Sequence, residues 1–177
     1  MRPHALTTLR NALGNVDAST RKTARMPRGG FTPAVEDRDY LGWRDPSAPQ
    51  RGYLFIEGEH GLRGVMLTTT RTRNSVRRAV MCEFCRIPRR FDQVVLFTAP
   101  TSPKHKDSST FGTYLCIDLD CNARVNALRP MGPLDPPADV MVAAHRAQLL
   151  ERVTAFVAEV LERAELPATR RIGSASR

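Results

Sequence analysis

A chain of 177 residues with 41% apolar content suffices for one ordinary domain with extensions, and a second full-sized domain is not expected. The opening MRPHALTTLR lacks the apolar run of a secretory signal, and no later window approaches the roughly 18 apolar residues of a membrane span, so a soluble, cytoplasmic protein is expected. Formal net charge is +9, and only Lys22, Lys104 and Lys106 are lysines. An arginine excess of this size points to an anionic partner, either RNA or an acidic protein surface; a merely solvated basic surface is the alternative.

In chain order, residues 1–37 form a short, basic N-terminal extension with helical signals at Leu6 to Leu13 and Ala18 to Ala24, broken at Pro27, Gly29, Gly30 and Pro33. YLGWRDP at 40–46 sets two aromatics and a leucine beside an Asp-Pro turn, with Trp43 expected to anchor the start of a sheet. GYLFIEG and LRGVMLTTT, parted by glycine-bearing residues, predict a β-hairpin. Further strands are predicted at 94–99 and 110–117, with TSPKHKDSS an exposed loop between them. After GPLDPPAD, the spacing of Leu149, Val153, Phe156, Val157, Val160 and Leu161 predicts an amphipathic helix of about 25 residues ending near Pro167. Its apolar stripe suits packing on its own domain, dimerisation or a partner, with self-packing and a monomer favoured. The pieces are thus 1–37, a central domain at 38–130, the helical segment 131–166 and a disordered tail at 167–177.

Cys82 and Cys85 form a CxxC pair, and Cys116 and Cys121 form a second pair after thirty intervening residues. Zinc takes four deprotonated ligands in a tetrahedron, and two short-spaced pairs joined by a hairpin supply them. Cys121 falls in the first turn of a short helix predicted from Asp120 to Leu128, where the helix dipole favours a thiolate. Knuckle, hairpin and helix-borne ligand together describe a treble clef, and the fold class is α+β with a small antiparallel sheet. Four cysteine ligands leave no position for water, so the single zinc ion is read as structural and the protein as no enzyme. Unrelated buried cysteines or a redox pair are the alternative.

The segment bracketing the knuckle carries Arg71, Arg73, Arg77, Arg78, Arg86, Arg89 and Arg90 against Glu83 alone, and these arginines are the candidate partner-binding residues. Phe84 joins them as an aromatic at the knuckle tip, with burial in the core as the competing reading. His4, His60, His105 and His145 are scattered and expected to be solvated, with His105 able to join a basic contact loop. No catalytic constellation accompanies them.

Five boxes, YLGWRDP at 40–46, GYLFIEGEHGLRGVML at 52–67, CEFC at 82–85, VVLFTAPT at 94–101 and GTYLCIDLDCN at 112–122, resemble in order and spacing the C-terminal treble-clef domain of the FusB-type proteins. The resemblance spans about residues 38–130. It implies a cytosolic protein that docks on translation elongation factor G and helps clear it from the ribosome, which in that family confers fusidic acid resistance. A ribosome-associated RNA-binding zinc finger is the contrasting expectation.

Overall fold

The computed structural model describes residues 1–31, 34–59, 61–69, 80–101 and 109–165. Helices α1 (Leu6–Ala12) and α2 (Ala18–Thr23) come first, close to the expected spans, and a 3-10 turn at Val35–Asp37 leads into the sheet. Strands β1 (Leu41–Arg44), β2 (Arg51–Gly58), β3 (Gly61–Thr68), β6 (Val94–Pro100) and β7 (Thr110–Cys116) make one antiparallel sheet in the order β1-β2-β3-β6-β7. Between β3 and β6 a separate two-stranded ribbon pairs β4 (Val80–Met81) with β5 (Pro88–Arg89). Helices α3 (Cys121–Asn126) and α4 (Ala138–Glu165) follow. The hairpin and both later strands lie where the sequence predicts them, whereas β1 arises within a box expected only to anchor the sheet.

Both faces of the sheet are covered at β2, which explains its unbroken apolar run YLFI: side chains alternate across a strand, so a doubly covered strand needs apolar residues at every position. Tyr53 and Phe55 join Leu41, Trp43 and Met66 beneath Leu9 of α1 and Leu13 just beyond its end. Leu54 and Ile56 join Val65, Leu67 and Phe97 beneath α4. Trp43 fills the expected anchoring role, lying parallel over Phe55 at 5.3 Å between ring centroids and donating its indole N–H to the Arg25 carbonyl at 2.8 Å.

Helix α4 buries Leu149, Val153, Phe156, Val157 and Val160, recurring three and four residues apart as the sequence pattern requires, and they pack on this chain's own core. Near its start, Arg146 grips the Asp39 carboxylate with two nitrogens at 2.8 to 3.2 Å. Among the described residues, no helix is long and apolar enough to cross a membrane.

Candidate metal centre

The first cysteine pair sits on the β4–β5 ribbon. Its turn closes with the Arg86 N–H donating to the Cys82 carbonyl at 2.9 Å, and Arg86 takes the left-handed conformation with φ of 56°. The second pair ends β7 and opens α3. Between Cys116 and Cys121 the chain reverses through Leu119, also left-handed at φ 58°, whose N–H donates to the Cys116 carbonyl at 2.9 Å. Asp120 caps α3, accepting from the Ala123 N–H at 3.3 Å.

All four cysteines are buried, and their sulfur atoms lie within 4.8 Å of one another. Cys82 Sγ is 3.7 Å from Cys121 Sγ, and Cys85 Sγ is 3.8 Å from Cys116 Sγ. Sulfurs at these separations are far from disulfide-bonded. A zinc tetrahedron with Zn–S of about 2.3 Å has edges of about 3.8 Å, so the donor set fits one zinc ion in both chemistry and spacing. Hydrogen bonds from Cys116, then Cys121, pull the Cys82 thiol well below its ordinary range, whereas Cys116 first and Cys82 next hold Cys121 well above it. Four buried thiolates at these separations repel one another, and a dication between them offsets that repulsion. With Cys82, Cys85, Cys116 and Cys121 as its ligands, zinc supplies a closed structural crosslink and retains no open position.

The surrounding residues brace the cluster. The Cys116 N–H points at Cys82 Sγ at 3.4 Å. Buried Tyr40 donates its hydroxyl to the Leu119 carbonyl at 2.7 Å and accepts from the Cys121 N–H at 3.1 Å; burial first, and the neighbouring Cys121 next, raise its pKa well above the usual phenol value. Asn122 holds the same segment, accepting from the Asp39 N–H at 2.9 Å and donating to the Tyr40 carbonyl at 2.9 Å. Buried Arg38 grips both carboxylate oxygens of Asp120 at 2.8 and 3.2 Å. Gly42 completes the fit: a Cβ there would stand 2.6 Å from the Leu119 carbonyl oxygen, so no larger residue enters without moving the knuckle. Arg124 pairs with Asp118; burial works against its charge, yet Asp118, Cys116 and Cys121 outweigh that and raise its pKa, as suits a cation beside thiolates.

Other candidates fare differently. Phe84 is not a contact aromatic at the knuckle tip: only 2% exposed, it meets Tyr40 and Phe156 edge-on at 6.3 and 5.5 Å, because the knuckle turns this residue inward onto α4. Arg86 and Arg90 are exposed and Arg89 is half-buried; they bond Glu83, Asp92 and Gln93 respectively. Arg71, Arg73, Arg77 and Arg78 lie outside the described residues, as do His60, His105, the loop at 102–108 and the tail at 167–177. His4 is half-buried rather than solvated, with Nε2 3.0 Å from a Glu57 carboxylate oxygen, and His145 is half-buried with Nδ1 2.8 Å from the Met141 carbonyl. Sequence reasoning missed the roles of Tyr40, Arg38 and Asn122; only their nearness in sequence to the YLGWRDP box and to Cys121 hinted at them.

No curated protein matches the chain. A family model described as the FBP C-terminal treble-clef zinc finger matches residues 8–160, which takes in most of α1, the sheet, all four cysteines and most of α4. By that match and the cysteine tetrad, the chain belongs to the FusB-type family of treble-clef zinc-finger proteins.

Proposed function

We propose that this protein is a zinc-stabilised, non-enzymatic adaptor of the cytosol that docks on translation elongation factor G and promotes its release from the ribosome, the activity its FusB-type resemblance implies. The observation that carries the reading is family membership across residues 8–160. The exposed guanidiniums of Arg86 and Arg90 beside the zinc knuckle suit carboxylates on an acidic protein and phosphates on RNA alike, so salt dependence is what separates the two readings. Zinc closed by four cysteines holds these groups in place and leaves no position for substrate chemistry.

The test is a calorimetric titration of the zinc-loaded protein into elongation factor G at low and high salt. Saturable one-to-one binding that persists in high salt is expected, since an interface with an apolar centre tolerates salt. Binding to ribosomal RNA instead, falling by roughly 0.7 in log K per phosphate and per decade of salt, would move the function to the RNA-binding alternative. Arg86→Gly sharpens the experiment. Its left-handed φ suits glycine, so the variant should melt no lower than the parent while binding elongation factor G more weakly. Unchanged affinity would remove Arg86 from the interface.

A further inference from the structure

Between residues 10 and 28 the N-terminal extension carries Arg10, Arg21, Lys22, Arg25 and Arg28 against Asp17 alone. The fold brings Arg51, at the start of β2, to the same place, where one of its terminal nitrogens donates to Thr23 Oγ1 at 2.9 Å. Arg10 reaches the end of α2 with two nitrogens on the Ala24 carbonyl at 2.7 and 3.2 Å, and Arg21 folds back onto the Val16 carbonyl at 3.1 Å. Three guanidiniums are thus held around one short helix. Lys22 on that helix, and Arg25 and Arg28 on the chain leaving it, are exposed.

The atoms that hold these arginines are neutral oxygens. Elsewhere arginines meet carboxylates, Arg38 with Asp120, Arg86 with Glu83 and Arg146 with Asp39 among them, but the cations around α2 form no ion pair among the described residues. Asp17 caps the opposite end of α2 through the Thr20 N–H and hydroxyl, and Asp45 is buried, accepting from the Tyr53 hydroxyl and the Arg25 N–H. Positive charge therefore gathers here without a local counterpart, which suits an anionic partner. A protein partner is ordinarily met through an apolar centre, whereas a nucleic-acid backbone is met by placed cations alone. None of the large apolar side chains that reach solvent among the described residues falls before Met81, so this surface lacks such a centre.

We propose that the surface formed by α2, the chain leaving it and Arg51 binds the phosphate backbone of RNA without reading its sequence. Lys22, Arg25 and Arg28 take the phosphates, and the fixed guanidiniums of Arg10, Arg21 and Arg51 add to the positive potential that draws them in. The choice of RNA rests on the proposed place of the protein at the ribosome. The surface itself belongs to the core cluster around Trp43 and not to the one that holds the cysteines, so loss of RNA binding and loss of elongation factor G binding are separate outcomes.

Labelled single-stranded RNAs of two unrelated sequences are titrated with the zinc-loaded full chain over a range of salt, and fluorescence anisotropy reads the binding. The combined variant Lys22→Gln, Arg25→Gln and Arg28→Gln alters exposed side chains that make no hydrogen bond or ion pair among the described residues, so zinc content and melting temperature should stay at parental values. At roughly 0.7 per phosphate, it should flatten the fall of log K with log salt by about 2 and weaken both RNAs alike, by roughly tenfold or more at low salt. A matched variant, Arg86→Gln, Arg90→Gln and Arg129→Gln, removes the same charge from exposed positions elsewhere and should bind nearly as the parent does. Absence of saturable RNA binding by the parent, or equal losses in the two variants, would overturn the proposal. So would a Lys22, Arg25 and Arg28 variant that keeps its RNA affinity but loses elongation factor G, which would give the surface to an acidic protein.

Discussion

The Tyr40 hydroxyl spans the second knuckle, bonding the Leu119 carbonyl before Cys121 and the backbone N–H of Cys121 itself. Tyr40→Phe keeps the ring in its place but strands a buried acceptor and a buried donor, at a cost of about 1–3 kcal/mol. Urea unfolding should record that loss, and competition with a chelator should show faster zinc release; unchanged values in both would mean that the hydroxyl does not position the knuckle. The cysteines themselves were legible in the sequence because metal chemistry fixes residue type and spacing together. Tyr40, Arg38 and Asn122 were not, because their roles rest on hydrogen bonds across segments some 80 residues apart, which no local pattern records. Phe84 was legible only as an aromatic: whether a knuckle residue faces outward or inward depends on where α4 comes to rest.

Among the elements, the β2–β3 hairpin was legible because two continuous apolar runs flank a glycine-bearing turn, and α4 because its helical apolar period recurs over several turns. Strand β1 spans four residues around a glycine, and β4 and β5 two each, too short for a period to register. The N-terminal segment is fastened to the end of β2 through Glu57, whose carboxylate accepts from the Arg2 N–H at 2.7 Å and meets Arg2 Nε and His4 Nε2 at 2.9 and 3.0 Å. The Arg2 backbone N–H foremost, with the Arg2 and His4 side chains, lowers the Glu57 pKa below its ordinary 4.5. A depressed folded pKa stabilises the fold above the unfolded pKa, and that contribution disappears as pH falls through the folded value. Glu57→Gln should therefore lower the melting temperature at pH 7 and lower it much less near pH 3. An equal loss at both pH values would show that packing, not charge, fastens the segment.

At the scale of the whole molecule, α1 covers one face of β1–β3 and α4 packs on the other face of the sheet, and the zinc cluster ties the β4–β5 ribbon to the end of β7 and the start of α3. The cysteines, Phe84 and Val125 belong to the same core as α4, so metal and apolar packing support one body. Structural zinc contributes folding energy directly, and its thiolate ligands release protons as it binds. The most direct test measures zinc per chain on the purified protein, then follows zinc release and near-ultraviolet circular dichroism together during a chelator titration. One zinc per chain, with metal and tertiary signal lost in a single step, is the predicted result. A chain that keeps its tertiary signal and melting temperature after its zinc has gone would contradict the account.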